Sequence, residues 1–76
     1  MIPAHFKAIM RDIGLREEKR PICAFLLRNG LIYTGRWQPL TAACNVLIVT
    51  LVNKQAPPIY IDVHAIDAIA VDGIGT

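Results

Sequence analysis

Arg28-Asn29-Gly30-Leu31-Ile32-Tyr33-Thr34-Gly35-Arg36-Trp37-Gln38 is the stretch on which the fold turns. Asn-Gly between two apolar runs is the strongest short hairpin signal, because both residues tolerate the positive φ of a type I′ turn. It predicts one strand over 22–28 and a second over 31–38. Along the second, Tyr33, Gly35 and Trp37 share one face, and Ile32, Thr34 and Arg36 share the other. A glycine in mid-strand marks a place where a sheet bends sharply.

The neighbouring segments extend this reading in both directions. Downstream, 39–44 is a loop, and Asn45-Val46-Leu47-Ile48-Val49-Thr50-Leu51-Val52 is a strand with apolar side chains for both faces, hence one covered twice. Pro57-Pro58 cannot donate ladder bonds, so the fourth strand, 59–63, belongs at an edge. His64-Ala65 leaves a tight turn before a fifth strand over 66–71. Upstream, Ile2, Phe6, Ile9, Met10 and Ile13 form one face of an amphipathic helix, with Pro3 in its first turn and Gly14 as its cap. The expected architecture is mainly β and a single domain over 1–76. It has an N-terminal helix at 1–14, a charged linker at 15–21 and, over 22–71, a strongly bent five-stranded antiparallel sheet forming a small SH3-like barrel.

At 76 residues and 54% hydrophobic, the chain has more apolar surface than a domain of this size buries alone. Self-assembly through edge strands into a homo-oligomer is therefore expected. No apolar stretch approaches the roughly 20 residues of a spanning helix, and His5, Lys7, Arg11 and Asp12 interrupt the N-terminal pattern where a signal peptide would be uniform. A cytoplasmic location and no membrane partner are the expectation. Cys23 and Cys44 both sit in apolar runs, which reads as reduced and buried, and neither forms a Cys-x-x-Cys pair with zinc-site spacing. Neither a metal nor a cofactor is expected.

Charge is uneven along the chain. Residues 1–38 carry seven Lys and Arg against three acids, a net +4, and residues 39–76 carry one Lys against three Asp, a net −2. The basic half offers a surface to a polyanion. Lys7 and Arg11, four apart on one helical face, are candidate phosphate contacts. Catalytic constellations are missing: the chain has no serine and no Gly-rich phosphate loop, and Asp62, Asp67 and Asp72 recur at a spacing that alternates strand faces. An enzyme is not expected.

Three motifs together resemble the Sm-like family, which includes the Sm and LSm proteins and bacterial Hfq. Arg28-Asn29-Gly30 with Tyr33-Thr34-Gly35 resembles the family's first motif. Asn45, ten residues after Gly35, matches the spacing of the loop asparagine that contacts an RNA base, and Thr41 occupies the preceding loop position where Sm proteins usually carry an aspartate. His64-Ala65-Ile66 with Ile69 resembles the Hfq segment between the last two strands, where the histidine lies at the mouth of the central pore. The resemblance implies an RNA-binding protein that assembles into a homo-oligomeric ring, contacting single-stranded RNA through Asn45, His64 and Thr41. Ala43 stands where an aromatic commonly stacks on the base, and Asp62-Val63 stands near the family's Arg-Gly. Those departures keep a second reading open: a structural or protein-interaction ring of the same fold that does not bind RNA.

Overall fold

A computed structural model of the chain describes residues 1–16, 21–52 and 55–71. An α-helix, α1 (Pro3–Arg16), precedes five strands: β1 (Cys23–Leu27), β2 (Ile32–Pro39), β3 (Val46–Leu51), β4 (Ile59–Asp62) and β5 (Ile66–Val71). A short 3₁₀ turn, Val63–Ala65, joins the last two strands. The strands form one antiparallel sheet in the order β4-β3-β2-β1-β5.

Gly35 decides how this sheet is built. It lies opposite Cys23 in the β1 ladder and opposite Leu51 in the β3 ladder, so β2 passes from one partner to the other there. A Cβ at this position would run into the Thr50 carbonyl oxygen and stand 3.0 Å from the Leu51 Cα. Only a residue without a side chain allows this approach. The sheet wraps a core to which Cys23, Phe25, Trp37, Leu47, Val49, Ile61 and Ile66 contribute from the five strands, with Val63 from the 3₁₀ turn.

The helix closes that core from one side through Phe6 and Ile13, with Ile9 and Met10 packed against it. Phe6 meets Trp37 edge-on, the ring centroids 6.1 Å apart and the planes at 82°, a favoured aromatic geometry. Trp37 is thereby a core residue, and Tyr33 on the same strand face is half-buried. Burial pushes the Cys23 thiol upward, with a hydrogen bond to Trp37 acting against that shift.

Several expectations are corrected. The sheet does not close into a barrel: β5 pairs along β1, β4 pairs with β3, and no ladder joins β4 to β5 among the described residues. Four residues of β4, entered through Pro57-Pro58, supply too few ladder donors to seal the seam. An open groove of about 520 Å³ is lined by Leu27 of β1, Tyr33 of β2, Ile59 and Ile61 of β4 and Ala65 of the 3₁₀ turn. Gly14 is not a C-cap, since it keeps a negative φ and the helix continues to Arg16. That takes two residues from the predicted linker, whose members 17–20 lie outside the described residues. Ile2 is 51% exposed because it precedes the helix, its carbonyl accepting from the His5 and Phe6 amides.

The apolar run of β3 is covered on one face only within the chain. Leu47 and Val49 are fully buried, whereas Val46 and Ile48 on the other face are half-buried and Thr50 is exposed. The central strand is β2, and β3 is its neighbour.

The hairpin turn also differs from the expected type I′. Gly30 alone has positive φ, +90°, and Asn29 does not. The Gly30 amide donates to the Leu27 carbonyl at 2.9 Å and the Leu27 amide to the Leu31 carbonyl at 2.8 Å, which makes Arg28-Asn29-Gly30 a three-residue loop ending in a glycine bulge. The Asn29 side chain fixes this form by accepting from the Leu31 amide at 3.0 Å. As a consequence Arg28 leaves the strand ladder.

Candidate functional site

Freed from the ladder, Arg28 turns toward the 3₁₀ turn between β4 and β5. Its backbone amide donates to the Ala65 carbonyl and its Nη2 to the His64 carbonyl, both at 2.8 Å. Its Nε stands 3.7 Å from Asp67 Oδ1 in an exposed ion pair. The Met1 amino group donates to the His64 carbonyl at 3.1 Å and to the Ile66 carbonyl at 2.6 Å.

Asp62 holds the same turn from its other end. It is the N-cap of the 3₁₀ segment, and its Oδ1 accepts from the His64 amide at 2.9 Å and lies 3.0 Å from His64 Nδ1. The hydrogen bonds from the His64 backbone and ring hold the Asp62 carboxyl below the usual carboxylate range. The imidazole is thus fixed at one ring nitrogen while the side chain stays 56% exposed.

Asn45 joins this corner through its backbone. Its carbonyl accepts from the Val63 amide at 2.9 Å, and Val46 lies opposite Asp62 in the ladder, so the start of β3 abuts the turn that carries His64. Thr41 belongs to the same loop. The Cys44 amide donates to the Thr41 carbonyl at 3.0 Å, the Leu40 amide to the Val46 carbonyl at 2.9 Å, and Cys44 takes a left-handed φ of 56° to close the turn. Thr41, Asn45 and His64 are all exposed. The loop before β3 and the turn after β4 therefore share one end of the sheet.

Lys7 and Arg11 are exposed on α1, and no described hydrogen bond or ion pair joins either to this corner. Sequence reasoning missed Arg28 and Asp62 as parts of the corner. For Asp62 the signal was present in Asp62-Val63-His64, the spacing at which an aspartate caps a turn two residues on. For Arg28 it depended on the turn type.

Among the described residues no group of three or more His, Cys, Asp or Glu is placed to hold a metal ion, and no helix is long and apolar enough to cross a membrane. The corner has a neutral amide, a hydroxyl, a carboxylate-bound imidazole and one guanidinium, a set suited to hydrogen-bonded recognition of a polar ligand. No family model, no curated protein and no solved structure matches this chain.

Proposed function

We propose that the protein is an Sm-like RNA-binding subunit of a homo-oligomeric ring. The observation that carries this reading is the placement of exposed Thr41 and Asn45 in the loop before β3 and of exposed His64 in the turn after β4, two segments joined by the bond from the Val63 amide to the Asn45 carbonyl. Asn45 offers a donor and an acceptor to a base edge, and Lys7 and Arg11 offer cations to phosphates. The element order, a helix followed by five antiparallel strands with a glycine crossing in the second, supports this reading, while the sheet stays open where the expected barrel would close. Assembly is supported by two unpaired sheet edges, β4 and β5, and by the incompletely covered face of β3.

A salt series tests the reading. Short single-stranded RNAs should bind with an affinity that falls steeply as salt rises, because each neutralised phosphate releases counterions. Asn45→Ala and His64→Ala should weaken binding without altering assembly. No binding at low salt overturns it.

A second reading, a ring for structural or protein contacts without RNA, is favoured by the outward face of β5, β1 and the first half of β2. Leu26 lies opposite Ile32 and Ala68, and Ala24 lies opposite Thr34 and Ala70, so the paired positions of this face are uncharged, with Asp67 set in the bulge beside Ala68. Ile32 is 62% exposed there. Loss of RNA affinity in the two alanine variants rejects this second reading.

A further inference from the structure

We propose that Asp62 is a positioning residue that fixes His64 as its Nδ1–H tautomer and so presents Nε2 to solvent as a neutral hydrogen-bond acceptor, selective for a nucleobase carrying an imino N–H donor. The choice of ligand rests on the RNA reading above, whereas the positioning does not.

Geometry leads to this assignment. An ionised carboxylate only accepts hydrogen bonds, so the 3.0 Å contact between Asp62 Oδ1 and His64 Nδ1 places the proton on Nδ1. In a neutral imidazole the other nitrogen is then an acceptor. The same carboxylate oxygen takes the His64 amide at 2.9 Å, so ring and backbone are anchored at one point. On the opposite side of the residue, Arg28 Nη2 holds the His64 carbonyl at 2.8 Å, and the Val63 amide is held by Asn45. Backbone amide, backbone carbonyl and Nδ1 of His64 are all engaged, which leaves Nε2 of a 56% exposed side chain to meet a ligand. A carboxylate orienting one imidazole nitrogen so that the other performs the recognition is a recurrent arrangement.

The charged groups around the ring come from each neighbouring element: Asp62 from β4, Asp67 from β5, Arg28 from the β1–β2 loop and the Met1 amino group ahead of α1. Protonation of the imidazole converts Nε2 from acceptor to donor. Discrimination in favour of an N–H donor therefore belongs to the neutral ring.

Long-range ¹H–¹⁵N correlation spectra of the imidazoles at roughly pH 8, where a histidine is neutral, test the positioning directly. His5→Gln assigns the two rings. The wild-type chain should show His64 as the Nδ1–H form, Asp62→Ala should release it to the Nε2–H form, and Asp62→Asn, which keeps a capping side chain, controls for folding of the turn. A wild-type Nε2–H form, or an unchanged tautomer in Asp62→Ala, overturns the proposal. For the ligand, oligouridylate and its 3-methyluridine counterpart are compared. The wild-type chain should prefer the unmethylated RNA by about tenfold at roughly pH 8, and Asp62→Ala should lack that preference. Equal affinities in the wild-type chain at roughly pH 8 overturn the readout. An Nδ1–H His64 together with no binding of either RNA upholds the positioning and rejects the RNA reading instead.

Discussion

Replacing Gly35 with alanine should remove a large share of the stability of this domain. The added Cβ meets the Thr50 carbonyl oxygen within hard contact, with the Thr50 carbonyl carbon at 2.8 Å and the Leu51 Cα at 3.0 Å. All three are backbone atoms, so no rotamer change relieves the clash. β2 and β3 must separate where Gly35 faces Leu51 and Arg36 faces Thr50. Overpacking of this kind costs about 1–3 kcal/mol, and two weakened ladder bonds add about 1 kcal/mol each. The total of about 3–5 kcal/mol compares with about 4–11 kcal/mol for the whole stability of a chain this long. Urea unfolding followed by the emission of Trp37, the single tryptophan and a core residue against Phe6, reads the change. Protein concentration must be held fixed, because the proposed assembly would contribute to apparent stability. With a urea slope of about 1–1.5 kcal/mol per molar, the midpoint should fall by about 2 M or more. Gly14→Ala is the matched control. Gly14 is helical, has negative φ and has nothing within 4 Å of a new Cβ, so alanine there should stabilise by about 0.5–1 kcal/mol. A Gly35→Ala midpoint equal to that of the wild-type chain would refute the close-approach account of the β2 crossing.

Other consequences are equally direct. Phe25 is fully buried in the middle of β1, and Phe25→Ala should cost about 3–5 kcal/mol in calorimetric unfolding. Asp62 has its folded carboxyl held down, so its contribution to stability is present above the ordinary aspartate value and is lost as pH falls through the lower folded value. The urea midpoints of wild type and Asp62→Asn should consequently converge in strong acid, and a gap that widens there would contradict the assignment. Cys23 is buried with its thiol pushed up while Cys44 is half-buried, so a thiol reagent should modify Cys44 first and reach Cys23 only on unfolding. Mass spectrometry of peptides from partly labelled protein checks the order.

Elements whose signals are local were legible in the sequence. The alternation of Tyr33, Gly35 and Trp37 and the Phe6–Ile13 stripe each state which face is apolar, and burial follows that pattern, whereas the β3 run is apolar on both faces and is fully buried on one. The edge position of β4 was readable because Pro57-Pro58 removes two donors. Features set by competition between alternatives were not. Asn29-Gly30 permits a type I′ turn, yet the bond from the Leu31 amide to the Asn29 side chain settles the three-residue loop, and only that loop delivers Arg28 to Ala65 and His64. Closure of the barrel depended on whether β4 and β5 would pair across a seam, which no local periodicity encodes. For the site, the spacing identified Asn45 and His64 separately. Their proximity is a product of the β3–β4 register and the turn after it.

Under the proposed function this chain forms a ring that holds RNA at the corner where Thr41, Asn45 and His64 are placed. Sedimentation equilibrium of the protein with and without a fluorescent single-stranded RNA, followed at the absorbance of each, tests it most directly. Protein should sediment as a discrete oligomer at all accessible concentrations, with RNA co-sedimenting for the wild-type chain and released by the paired change Asn45→Ala and His64→Ala. A folded monomer with RNA left at its own free mass would contradict the claim.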